Sequence, residues 1–148
     1  GGRRIRRLND RAYLLDTSAI FAFTDNERGA DLVEDLLARA KKKEISLHIS
    51  KMTAMEIYYV SLQEGDEREA HDRLLLVRSL PVVELPLDDD LVLPAARFKA
   101  RWKVSVADAW IAATALVRNL TLVHKDPEFE RLKESLSLVS LPYKPKKR

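Results

Sequence analysis

Short apolar runs of three to five residues alternate with longer amphipathic stretches along most of the chain. A run that short is consistent with a buried strand, whereas an apolar period near 3.6 reads as a helix. Tyr13-Leu14-Leu15, Ser46 to Ser50, Val82 to Leu87 and Leu120 to Val123 read as strands, and Leu136 to Leu141 as a possible last one. Between them, helices are expected from Asp16-Thr17-Ser18-Ala19 through Phe23, over Asp31–Lys42, Lys51–Gln63, Glu67–Leu80, Asp88 to about Lys103, Ser105–Asn119 and Pro127–Ser135. Such alternation selects an α/β domain with a mostly parallel sheet. Ligands of such sheets gather at the carboxyl ends of the strands, near the point where strand order reverses.

The 148 residues suit one domain, with no repeat and no linker. There is no cysteine, which excludes a disulfide framework, a thiolate zinc site and a cysteine nucleophile. No apolar run approaches the roughly 18 residues that span a bilayer, and no secretory leader is visible, so a cytoplasmic protein is expected. The opening Gly1-Gly2, without Met, is compatible with a vector remnant. The net charge of +3 hides an asymmetry. Arg3, Arg4, Arg6 and Arg7 open the chain, and Lys144, Lys146, Lys147 and Arg148 close it. Without those eight, 18 basic residues face 23 acidic ones. Basic ends on an acidic body could grip a polyanion, or could be solubilising tails. A basic extension at 1–11 and a basic tail at 143–148 are therefore set apart from a body at 12–142.

Several chemistries lack their motif. There is no G-x-G-x-x-G, no Walker loop and no G-x-S-x-G. His48, His71 and His124 share no metal-ligand spacing. What remains is carboxylates. Asp16 ends the first strand, Asp126 follows Leu120–Val123, Asp108 stands in the first turn of the Ser105 helix, and Glu56 lies inside the Lys51 helix. Each also has a plain reading. Asp16 and Asp126-Pro127 suit helix N-caps, Ser105-x-x-Asp108 a capping box, and Glu56 a solvated helix position. The apolar surroundings of Asp16 and Asp108 nevertheless place carboxylates close to the interior, where a charge needs a partner. Two carboxylates about 5 Å apart repel by roughly 3 kcal/mol at an effective dielectric near 20. One lysine, Lys125, cannot balance four acids. Either protons or a hard divalent cation must, and an all-oxygen set suits Mg²⁺ or Mn²⁺. Such a site fits phosphodiester hydrolysis by metal-activated water.

Leu14-Leu15-Asp16-Thr17-Ser18-Ala19 resembles the opening motif of the PIN-domain ribonucleases. Met52-Thr53-Ala54-Met55-Glu56-Ile57 is similar to their second motif. Ser105 to Ala115 resembles the third as found in bacterial and archaeal VapC toxins, and Leu122 to Phe129 the fourth. The resemblance covers about residues 12 to 142. It implies a three-layer α/β/α sandwich and Mg²⁺- or Mn²⁺-dependent endonucleolytic cleavage of RNA. It also implies a homodimer and a cognate antitoxin whose tail blocks the pocket. Asp16, Glu56, Asp108 and Asp126 match the family's acids, and Thr17 or Ser18 its hydroxyl beside the first acid. Ser105 is a candidate supporting residue. Where many relatives carry Thr or Ser two positions before the fourth acid, this chain has His124. A contact from His124 to substrate phosphate or to a water, and a transition-state role for Lys125, are expectations of the same kind, beside the plain reading of both as polar residues at a strand edge.

Two other functions compete with the nuclease. A non-catalytic PIN-like RNA-binding or scaffold module has no need of clustered acids. A phosphatase of the haloacid-dehalogenase type wants a second Asp two residues after the first, where Ser18 stands. Asp88-Asp89-Asp90 looks like a metal site but is better explained as acids at a helix N-terminus. Met52, Met55, Tyr59 and Leu62 are expected on one buried face. Trp102 and Trp110 are expected in core or dimer packing, and one of Tyr58 and Tyr59 to face out.

Overall fold

A computed structural model describes residues 11–143, so both basic ends lie outside the described residues apart from Arg11 and Tyr143. Five strands form one sheet: β1 (Ala12–Leu15), β2 (Ser46–Ser50), β3 (Val83–Leu85), β4 (Thr121–His124) and β5 (Leu138–Ser140). Their order is β3-β2-β1-β4-β5, and every pair is parallel. The helices are α1 (Thr17–Thr24), α2 (Ala30–Lys41), α3 (Lys51–Glu64), α4 (Glu67–Arg78), α5 (Val92–Arg101) and α6 (Val106–Val117).

Successive strand residues serve opposite faces. Tyr13, Leu15 and Val123 join one core with Ile20, Val33, Leu36, Ile57 and Val77 from α1 to α4. Leu14 and Leu122 join the other with Ala95, Phe98, Ile111 and Ala112 from α5 and α6. The sheet is covered on both faces, which is the expected α/β/α layering. Because β2 lies on one side of β1 and β4 on the other, strand order reverses between β1 and β4. The carboxyl ends of these two strands therefore flank the crevice where a ligand is expected.

Some expectations require correction. α3 buries Thr53, Ala54, Ile57 and Ser61, while Met55 is 50% exposed; Tyr59, at 41%, is the tyrosine of its pair that faces out. Apolar residues occupy nearly every turn of this helix, so periodicity does not single out a face. The small residues face inward, where they permit close packing. Of the two tryptophans expected in core or dimer packing, Trp110 packs against the second core and Trp102 is 37% exposed on the single chain. Asp88, Asp89 and Asp90 do stand at a helix start, and Asp88 and Asp90 in addition grip the Arg118 guanidinium at the end of α6 (2.7 to 3.0 Å). A 3₁₀ turn, Asp89–Leu91, leads into α5. Pro127–Leu132 is likewise 3₁₀ rather than an α-helix.

Candidate active site

Asp16 leaves β1 in extended conformation and caps α1. Its Oδ2 accepts from the Ser18 backbone N–H (3.0 Å) and from the Ser18 hydroxyl. Its Oδ1 is buried with no hydrogen-bond partner. The N-cap reading is thus correct, but it accounts for only one oxygen. Asp16 is 3% exposed. Burial pushes its pKa up to about 7, against the lowering effect of the two Ser18 bonds, with Glu56 and Asp126 pushing the same way as burial.

Thr17 turns its hydroxyl the other way. Its Oγ1 lies 2.7 Å from Glu56 Oε1 and 3.0 Å from Thr53 Oγ1. A hydroxyl has one hydrogen and an ionised carboxylate only accepts. Thr17 therefore donates to ionised Glu56 and accepts from Thr53, which gives Glu56 a fixed orientation. Burial, and then the negative charge of Asp126, raise the Glu56 pKa against the Thr17 bond.

Asp108 sits in the first turn of α6, where its backbone N–H is held by Ser105 Oγ at 3.1 Å. It is 8% exposed. Its pKa is pushed up to about 9, by burial first and then by Asp16 and Asp126; hydrogen bonds from the protonated acid to Glu128 and Asp126 favour the same form. Asp126 caps the 3₁₀ segment, its Oδ1 accepting from the Glu128 backbone N–H at 2.9 Å. One carboxylate oxygen from each of Asp108, Asp126 and Glu128 falls within 4.8 Å of the others. At that spacing a pair of charges repels by about 3.5 kcal/mol at an effective dielectric of 20.

The four expected acids are therefore electrostatic neighbours at one sheet edge, and Glu128 and Thr53 complete the set. Both additions had a signal in the sequence. Thr53 stands three residues before Glu56 on the same helix face. Glu128 stands two residues after Asp126 in the same turn.

His124 and Lys125 differ from expectation. The His124 ring is fully buried between Phe129 and Tyr143, with ring centres 5.2 and 6.2 Å away. It cannot reach a substrate phosphate. Its Nδ1 accepts from the Asp126 backbone N–H at 3.2 Å, so the proton belongs on Nε2, which has no partner. Burial lowers its pKa and keeps the ring neutral. The Lys125 ammonium points to Glu27 (3.5 Å) and the Arg28 carbonyl (3.0 Å), so its charge is not free for a transition state. Its backbone N–H instead donates to Ser18 Oγ at 2.8 Å, tying the end of β4 to the start of α1. A cleft of about 480 Å³, lined by Ser18, Phe21, Val60, Pro127 and Tyr143 among others, opens beside the acids.

The residues present fit a divalent cation. All candidate donors are hard oxygens, and one of them, Asp16 Oδ1, is buried without any partner. The raised pKa values fit the same picture: burial comes first and neighbouring negative charge adds to it, and a bound cation would offset both.

Residues 13–135 match the profile of the PIN domain. No sequence among the curated proteins matches the chain. Among solved structures, the chain is similar to VapBC2 of Rickettsia felis bound to a promoter DNA fragment. The TM-score is 0.72 at 18% identity, over 88% of this chain and 98% of that one. It is also similar to VapC20 of Mycobacterium tuberculosis, described as a sarcin-ricin loop cleaving toxin (TM-score 0.65, 18% identity, covering 81% and 94%). A Pyrobaculum aerophilum protein matches with a TM-score of 0.63 at 25% identity, covering 88% and 89%. A profile match over most of the chain, on a fold whose acids meet at the switch point of its sheet, makes this chain a member of the PIN domain family.

Proposed function

We propose that this protein is a Mg²⁺- or Mn²⁺-dependent endoribonuclease and the toxin of a toxin–antitoxin pair, with residues 12–142 as its nuclease domain. The observation that carries the reading is the buried, unpartnered Oδ1 of Asp16 among four further carboxylates. A scaffold gains nothing by keeping repelling charges together, whereas a cation-dependent hydrolase requires them.

Asp16, Glu56, Asp108 and Asp126 hold the cation, with Glu128 as a further ligand. When bound, the ion supplies the positive charge that draws in the scissile phosphate and acidifies a water. The protein's own share is orientation. Ser18 fixes Asp16, Thr17 and Thr53 fix Glu56, Ser105 fixes the turn that carries Asp108, and His124 fixes the backbone at Asp126. No side chain near the acids is needed as a covalent nucleophile.

The RNA substrate follows from the family and from the sarcin-ricin loop cleaving activity of VapC20. An antitoxin partner follows from neighbours that are themselves complexes, such as VapBC of Salmonella typhimurium bound to DNA (TM-score 0.70, 20% identity). A homodimer and a cytoplasmic location belong to the same reading. Among the described residues no helix is long and apolar enough to cross a membrane. Cleavage of a structured RNA should require Mg²⁺ or Mn²⁺, stop with EDTA, and fall at least a hundredfold in Asp16→Asn. Equal cleavage by wild type and Asp16→Asn would overturn the proposal.

A further inference from the structure

A second cleft, of about 210 Å³, lies at the end of α5 on the α5–α6 side of the sheet. Its apolar surface comes from Pro94, Phe98, Trp102 and Leu116, and its polar members are Arg97, Arg101 and Ser135. A tryptophan left 37% exposed between two arginines is an unusual surface, because such a ring normally completes a core. The cations here are also unpaired with acids. Arg39, Arg73, Arg78 and Arg118 are all in ion pairs with carboxylates. Among the described residues no ion pair involves Arg97, Arg101, Lys103 or Arg131.

The chain ties this patch to the acids. Trp102 and Lys103 lead through Val104 and Ser105 into the turn that carries Asp108. Six residues separate Trp102 from Asp108, a span of at most roughly 20 Å even if fully extended. On the other side, Arg131 donates to the Lys103 carbonyl at 2.7 Å from the 3₁₀ segment that Asp126 caps and that contains Glu128. An exposed tryptophan backed by the buried Phe98 and flanked by guanidinium groups suits a planar group attached to an anion. An acidic pocket repels a polyanion, so an RNA strand needs a cationic foothold beside it.

We propose that the cleft formed by Phe98 and Trp102 and rimmed by Arg97 and Arg101, with Lys103 and Arg131 alongside, binds a nucleotide of a single-stranded RNA segment by base stacking and phosphate contact. This rests on the nuclease reading for its substrate class, but it concerns binding and not cleavage. A second copy of the chain is the competing occupant, since Leu93 and Val106 are also exposed. A two-fold interface centred on the cleft would set Arg97 and Arg101 against their own copies, which disfavours it.

The test is binding of the full chain to a fluorescein-labelled, unstructured 12-nucleotide RNA in EDTA, across a salt series. Wild type is expected to bind with quenching of tryptophan fluorescence. Trp102→Leu is expected to lose most of the quench and to weaken binding about tenfold, in the range for loss of one stacked base. Each phosphate neutralised on a single strand adds roughly 0.7 to the slope of log affinity against log salt, so the double variant R97A/R101A should lower that slope by about 1.4. It changes only exposed side chains, so it reports even if Trp102→Leu folds poorly. Lys41→Ala, at the far end of α2, should bind as wild type. Affinity and slope unchanged in R97A/R101A would overturn the proposal, as would absence of RNA binding by wild type. Unchanged RNA affinity with loss of a dimer in sedimentation would assign the cleft to a second copy. RNA binding that depends on this patch in a protein without metal-dependent cleavage would sink the nuclease reading and leave the patch standing. Metal-dependent cleavage with unaltered binding in the variants would do the reverse.

Discussion

Asp16 and Asp108 show how one residue can serve local structure and a site together. Asp16 caps α1, and Asp108 gives its backbone N–H to the Ser105 cap while its carboxyl turns to Asp126 and Glu128; each faces other acids without a cation. These positions were legible because a charged residue at the end of an apolar run has few innocent explanations. Glu128 and Thr53 carried only a spacing signal, which is weak because an acid in a first turn and a threonine in a helix are ordinary in sequence. Only the fold shows what they face. His124 and Lys125 escape sequence reasoning for a related reason: residue type does not reveal direction, and one ring turns inward while one ammonium finds Glu27. The like-charge crowding has a direct consequence. Asp108→Asn removes a group that burial and its neighbours hold away from ionisation, and keeps its shape. In EDTA at pH 8 this variant is expected to melt several degrees above wild type by calorimetry, and with Mg²⁺ or Mn²⁺ present it should lose the RNA cleavage that wild type shows. Thr53→Val should act oppositely on the site. It keeps the volume, strips the hydroxyl that supports Thr17, and should weaken Mn²⁺ binding, read by titration calorimetry.

Among the elements, legibility is uneven: α2 and α3 agree to within one residue at each end, while β3 and β5 are half their expected length. The expected β2 agrees to the residue, and β1 to within one, because short apolar runs between breakers leave little freedom. The buried face of α3 is not legible because its sequence is apolar nearly all round. Periodicity locates a buried face only where the opposite face is polar. The burial pattern predicts two different responses on one helix. Met55→Lys, on the exposed face, should change the stability of the monomer by no more than about 0.5 kcal/mol. Ala54→Leu, one residue away, forces a larger side chain into the interface of α3 with its neighbours and should cost about 1–3 kcal/mol. Denaturant unfolding of both variants distinguishes the observed face from the one that apolar content alone suggests. The Arg118 clamp on Asp88 and Asp90 shows a different limit. An acidic triplet reads as a metal site or a dipole cap until the arginine 28 residues after Asp90 is brought beside it.

For the whole molecule, the sheet and its layering were legible because alternation of strand and helix fixes a parallel sheet, and such a sheet brings strand ends to one edge. That edge gathers Asp16, Glu56, Asp108 and Asp126 from distant parts of the sequence, so folding itself works against their charge. The sign of the resulting pH dependence follows from linkage. Asp16 and Asp108 have pKa values of about 7 and about 9 in the folded chain, against 3.8 as the ordinary value. Between these limits the folded state binds more protons than the unfolded state, so stability falls as pH rises. The metal-free protein should therefore lose melting temperature steadily from about pH 5 to pH 9, opposite to the trend for carboxylates in salt bridges. A divalent cation replaces the missing protons, so MgCl₂ or MnCl₂ should stabilise most at the alkaline end and least near pH 5. At 100 times its dissociation constant the ion adds about 2.7 kcal/mol. For a chain of this size that corresponds to a rise on the order of 5–10 °C. Asp16→Asn and Asp108→Asn should each flatten the metal-free slope, and the pair together should remove most of it. A slope unchanged by both substitutions would mean that the five acids do not share one electrostatic pocket, whatever the outcome of a cleavage assay.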